Sequence, residues 1–138
     1  MVLISHRGNI NQVIIEQENT LPYIQEAINR GYDVEIDCWY VDSILWLGHD
    51  APEHEVSLEW LLERSSSLWI HCKNLEALSH LVNTDLRVFY HEQEAYTLVS
   101  DHHIWAHSLD SVDETCIIPL LNKDVIEKSF GVLFILSP

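Results

Sequence analysis

Positive charge is what this chain has least of. Seven Lys and Arg stand against 22 Asp and Glu, giving a formal net charge of −15 at pH 7. Nucleic-acid backbones and anionic membranes both attract positive surface, so neither is an expected partner. A small phosphate-bearing molecule remains compatible, because a local cluster or a metal ion overrides the global field. Long apolar runs are also missing: none approaches the roughly 18–20 residues that cross a bilayer. The opening MVLISHRGN reaches a polar break too soon to hold the core of a signal peptide. Cysteine is sparse as well. Cys38, Cys72 and Cys116 are odd in number, widely spaced and form no CxxC, which reads as buried thiols in a reducing compartment. There is no low-complexity segment and no linker. These absences predict a soluble, cytoplasmic protein with no membrane span, and 138 residues predict a single domain over 1–138.

What is present is alternation. Val2–Ser5 reads as a strand feeding the turn HRGN. Thr20 stands at a helix N-cap, ahead of Leu21, Ile24, Ala27 and Ile28 at helical spacing, and Arg30-Gly31 closes that helix. Val34–Asp37, Ile44–Leu47, Leu68–Cys72, Leu86–Tyr90, His103–Ala106, Cys116–Leu120 and Gly131–Leu136 read as strands. Ser57 caps a helix holding Leu58, Leu61 and Leu62, and Leu75, Leu78, Leu81 and Val82 form a second stripe. Weaker helical patterns cover Glu92–Val99 and Asp124–Lys128. Strands alternating with helices predict an α/β protein with parallel strands. On length alone an open sheet fits better than a closed eight-stranded barrel, which normally takes about 250 residues.

Polar groups gather where these strands stop: His6 and Arg7, Glu35 and Asp37, His49 and Asp50, His71 and Lys73, His91, and His107. In parallel α/β folds the strand C-termini share one rim, and that rim carries the site. Glu35 and Asp37 keep the two-residue period of a strand, so both point to one face. At this point the pair has two readings. One is a solvated strand end; the other is a cradle for Mg²⁺ or Ca²⁺, which prefer oxygen ligands and cancel the repulsion between the acids. In the second reading Arg7 and Lys73 hold an anionic oxygen, and His6 and His49 move protons. That combination describes phosphoryl transfer better than acyl transfer. The Glu16–Glu18 patch reads as solvated surface, and Trp39 and Trp105 as candidate pocket walls.

The chain resembles the glycerophosphodiester phosphodiesterase family of phosphatidylinositol-phospholipase-C-like barrels. The resemblance lies in SHRGN at 5–9, ENT at 18–20, AINRGYDVEID at 27–37, LGHD at 47–50 and VSLEWLL at 56–62, in the family's order. Beyond residue 62 it thins to WIHCK at 69–73 and GVLFILSP at 131–138. The resemblance implies a small or degenerate (β/α)8 TIM barrel with several helices shortened. It implies a metal-dependent phosphodiesterase with His6 and His49 catalytic, Arg7 and Lys73 on the phosphate, and Glu35 and Asp37 on the metal. The expected reaction turns a small-molecule glycerophosphodiester into glycerol 3-phosphate and an alcohol. The family's third carboxylate ligand falls at His71, which brings Mn²⁺, Zn²⁺ or Fe²⁺ into range beside Mg²⁺ and Ca²⁺. The family's closing Asp is replaced by Ser137, and the hairpin WYVDSILW is shorter than usual. A non-catalytic phosphoester- or metal-binding protein on the same scaffold is the alternative.

Overall fold

The computed structural model describes residues 2–107, 112, 116–120 and 133–136, with 119–120 and 133–136 described by their backbone. Ten strands are described: β1 (Leu3–His6), β2 (Asp33–Val41), β3 (Ile44–Leu47), β4 (His54–Val56), β5 (Leu68–Cys72), β6 (Arg87–Phe89), β7 (Tyr96–Leu98), β8 (Ile104–Ala106), β9 (Cys116–Leu120) and β10 (Leu133–Leu136). Three α-helices accompany them: α1 (Leu21–Asn29), α2 (Leu58–Leu62) and α3 (Leu75–Leu81). No helix among the described residues is long and apolar enough to cross a membrane.

Seven strands run parallel in the order β6-β5-β2-β1-β10-β9-β8. Three more are antiparallel. β3 and β4 hang as a meander from the far half of β2, and β7 folds back on β8. The β2–β3 turn has two residues, Asp42 and Ser43, with φ of 51° and 65°. Both lie in the left-handed region that a tight two-residue hairpin requires.

The expectation of a (β/α)8 TIM barrel is overturned. Among the described residues no strand ladder joins β6 to β7 or β8, so the sheet does not close. Closure needs every strand paired on both edges with a consistent stagger. Here the backbone edge of β6 bonds instead to the loop after β7, through Ser100 N–H donating to the Val88 carbonyl at 2.9 Å and Val88 N–H donating to Ser100 Oγ at 3.0 Å. The helix expected over Glu92–Val99 is also absent: Tyr96–Leu98 is the strand that pairs β8. The helix read at Asp124–Lys128, and Ser137, lie outside the described residues.

Strand alternation divides the interior into two layers. Val34, Ile36 and Cys38 of β2 and Leu68, Ile70 and Cys72 of β5 face the helices, packing with Ile24, Ala27, Ala77 and Leu81. The other faces supply Ile4, Trp69, Phe89, Trp105 and Ile117, which form a second core with Val99. All three cysteines are buried. Burial pushes the Cys72 thiol up to about 12, so it stays protonated.

Candidate functional site

The second core is the floor of the site. Two residues beyond Ile4 stands His6; beyond Trp69, His71 and then Lys73; beyond Phe89, His91; beyond Trp105, His107. The period of two carries each strand from an apolar floor to a polar rim on the same face. On β2 the same face carries Glu35 and Asp37. His6, Arg7, Glu35, Asp37, His49, His71 and Lys73 all line one cavity of about 630 Å³, together with Phe89, Trp105, His91 and His107. Rings stack along its lining, His71 on His91 at 4.4 Å between centroids and Phe89 on Trp105 at 4.5 Å.

Two tight turns deliver the groups from outside the strands. In HRGN, Arg7 and Gly8 both have positive φ, 56° and 92°, and Asn9 N–H donates to the His6 carbonyl at 2.9 Å. A Cβ on Gly8 would stand 2.7 Å from Tyr23 Cδ1, so the turn needs glycine there. In the LGHD turn, Gly48 has φ 150° and a Cβ would collide with the Ala51 carbonyl oxygen. Trp39 Nε1–H donates to the Gly48 carbonyl at 2.7 Å and fixes the turn that carries His49. His49 Nδ1 lies 2.7 Å from Asp50 Oδ1.

Asp37 is the electrostatic hub. Its Oδ2 accepts from Asn19 Nδ2 at 3.0 Å and faces Arg7 Nε at 3.0 Å. Its Oδ1 meets His71 Nδ1 at 3.0 Å and Lys73 Nζ at 3.5 Å. Burial is the largest influence and opposes ionisation. The His71 hydrogen bond, Arg7, Asn19 and Lys73 together outweigh it and hold the carboxyl well below the usual range. Glu35 goes the other way. Burial, then the charge of Asp37, pushes its carboxyl well above the usual range, against the pull of Arg7 and Lys73. Its Oε2 is buried without a hydrogen-bond partner, 3.6 Å from His6 Nε2. His6 is held down to about 4 by burial and by the adjacent Arg7, so it is neutral at pH 7. Burial alone would lower the Arg7 guanidinium, but Asp37, Glu18 and Glu35 raise it, so it remains charged.

Glu35, Asp37 and His71, all buried, place one ligand atom each within 4.8 Å of one another. This trio fits a divalent cation. A cation would engage the unpartnered Glu35 Oε2 and draw down the carboxyl that burial raises. Two carboxylate oxygens and an imidazole nitrogen suit Mn²⁺ or Zn²⁺ better than Ca²⁺. Asp37 is the more encumbered ligand, because a cation on Oδ1 has to shift His71 or Lys73.

Two parts of the site are not legible in strand periodicity. Glu18 is not solvated surface: it is partly buried, bonding Arg7 Nη1 at 3.0 Å and Asn9 Nδ2 at 2.7 Å, while Glu16 is exposed. Asn19, buried beside it, bonds Asp37. The signal available for both was the segment ENT itself, a polar trio ahead of a helix. Trp105 walls the cavity and Trp39 supports the His49 turn from outside it. The fold and site together define a mixed α/β protein with a charge-balanced polar cavity at the carboxyl ends of a parallel sheet. No family model, curated protein or solved structure matches the chain.

Proposed function

We propose that this protein hydrolyses a small phosphodiester of the glycerophosphodiester kind to a phosphomonoester and an alcohol, with help from a divalent metal. One observation carries the reading. Two histidines, two cations, two acids and His71, drawn from four separated segments, line the same cavity. The order of HRGN, EID and GHD, which resembles the glycerophosphodiester phosphodiesterases, supplies the substrate class.

His6 is the base in this scheme. Neutral at pH 7, its imidazole accepts the proton of the substrate's glycerol hydroxyl as that oxygen attacks phosphorus. His49, oriented by Asp50, gives a proton to the departing alcohol oxygen, and water then opens the cyclic phosphate to the phosphomonoester. Arg7, held against Asp37 and Glu18, and Lys73 receive the anionic phosphoryl oxygens. Arg7 is set in place by its own N–H, which donates to the Glu35 carbonyl at 2.8 Å. Glu35, Asp37 and His71 would hold the cation, which when bound supplies Lewis-acid polarisation of a phosphoryl oxygen.

A second reading, a protein that binds a phosphoester or metal without turnover, is favoured by one feature. Both oxygens of Asp37 are already engaged by protein donors, so the acids are compensated without a metal. Incubation with glycerophosphocholine and Mg²⁺, Mn²⁺ or Ca²⁺, scored for glycerol 3-phosphate, separates the two. We expect turnover that His6→Ala and His49→Ala each abolish. Binding without turnover, over a panel that includes lysolipids and cyclic phosphates, would reject the enzyme and leave the binding protein.

A further inference from the structure

Asn19 has no part in the acid–base scheme above, yet it is buried to 1% exposure. Its backbone is left-handed, with φ 58°, a conformation that asparagine adopts more readily than most residues. From there its side chain makes two bonds to a single residue. Nδ2 donates to Asp37 Oδ2 at 3.0 Å, and Oδ1 accepts from Asp37 N–H at 3.0 Å. Only one orientation of the amide satisfies both, because an N–H faces one end and a carboxylate the other. The Asn19 N–H donates to the Arg7 carbonyl at 3.1 Å, so the turn bearing Arg7 is tied to the same point.

The terminal torsion of an aspartate is broad and two-fold, so nothing in a strand by itself decides which oxygen faces which partner. A lone bond from Asn19 to the Asp37 backbone would only brace the strand. The second bond, to the carboxylate, does more: it leaves Oδ2 between Asn19 and Arg7 and gives Oδ1 to His71 and Lys73. We infer that Asn19 is a positioning residue for the Asp37 carboxylate, fixing which oxygen meets Arg7 and which is offered with His71 to a cation. Its consequence for turnover rests on the phosphodiesterase reading; its consequence for the carboxylate does not.

Two variants of the full chain test this. Asn19→Asp keeps the shape, the left-handed preference and the acceptor for Asp37 N–H, but sets a carboxylate against Asp37 Oδ2. Asn19→Gly keeps the backbone conformation and deletes both side-chain bonds; should it fail to fold, Asn19→Asp carries the comparison alone. Ser57→Ala is the structural control, since it removes the α2 cap bond from Trp60 N–H to Ser57 Oγ on another part of the chain. By calorimetry with Mn²⁺, Asn19→Asp weakens binding roughly 10–100-fold, the usual effect of losing a ligand's supporting partner. With glycerophosphocholine it lowers kcat and leaves KM little changed. Ser57→Ala lowers Tm and leaves the Mn²⁺ affinity alone. Wild-type Mn²⁺ affinity in both Asn19 variants overturns the inference. If the wild type neither binds Mn²⁺ nor turns over substrate, the phosphodiesterase reading falls separately. Hydrogen exchange of the Asn19 side-chain amide then decides: protection upholds the clamp, and exchange at the rate of an exposed amide overturns it.

Discussion

His6 sits where its charge is costly. Burial and Arg7 hold its imidazole down to about 4, against an ordinary value of 6.5. Between those two values the unfolded chain binds a proton that the folded protein rejects, so stability rises with pH across that window. The contribution is fully present above 6.5 and is lost as the pH falls toward 4. His91, also held down to about 4, first by burial and then by His71 and His107, acts in the same direction. We therefore expect urea midpoints to fall steadily from pH 6.5 toward 4, with a shallower slope in His6→Gln and a shallower one again when His91→Gln is added. An unchanged slope in both would mean the rings are not desolvated as described. The shared face of Glu35 and Asp37 on one strand, and of His71 and Lys73 on another, was legible because period two is a local rule. The link from Asn19 to Asp37 was not. It spans 18 residues and depends on a left-handed backbone at Asn19, which no pattern of apolar residues encodes.

At the scale of elements, the same contrast between local and distant determinants recurs. β3, β5 and β9 match their sequence runs end to end, because each run is apolar, short and bounded by turn residues. The misread stretch is 92–99, where Tyr96, Thr97 and Leu98 answer to a partner strand, Ile104–Ala106, that lies outside the window. Closure of the sheet was beyond reach for a related reason: it depends on whether two edges far apart in sequence meet. Helix α3 shows how an element is tied to the site. Asn74 caps it, its Oδ1 accepting from Ala77 N–H at 3.1 Å and from Tyr40 N–H at 3.2 Å, while Nδ2 donates to the Tyr40 carbonyl at 2.9 Å. One side chain thus joins the helix start to the end of β2. Asn74→Ala should cost about 2 kcal/mol, combining a lost cap with unpaired backbone groups on β2. Asn74→Asp, which retains the acceptor, should cost less. Denaturant unfolding measures both, and equal losses would show that the cap itself contributes nothing.

For the molecule as a whole, the net charge of −15 makes any added cation stabilising, so a metal effect has to be told apart from simple screening. The two contributions differ in what they need. Screening acts on the exposed acids collectively and depends on ionic strength. Binding at Glu35, Asp37 and His71 depends on those particular side chains and saturates. A ligand at about 100 times its Kd adds roughly 2.7 kcal/mol to the folded state. Mn²⁺ should therefore raise Tm beyond KCl of equal ionic strength, and a chelator should reverse the excess. Asp37→Asn keeps the shape of the side chain and removes the charge, so the KCl response should persist while the Mn²⁺ excess shrinks. The variant leaves Arg7 and Lys73 with fewer negative partners, so its baseline stability should drop as well. Only the difference between the two salts therefore reports on the cradle. If Mn²⁺ and KCl act alike on the wild type, or the Mn²⁺ excess survives Asp37→Asn undiminished, the two acids are balanced by Arg7 and Lys73 alone and the site is an anion-binding cavity rather than a metal centre.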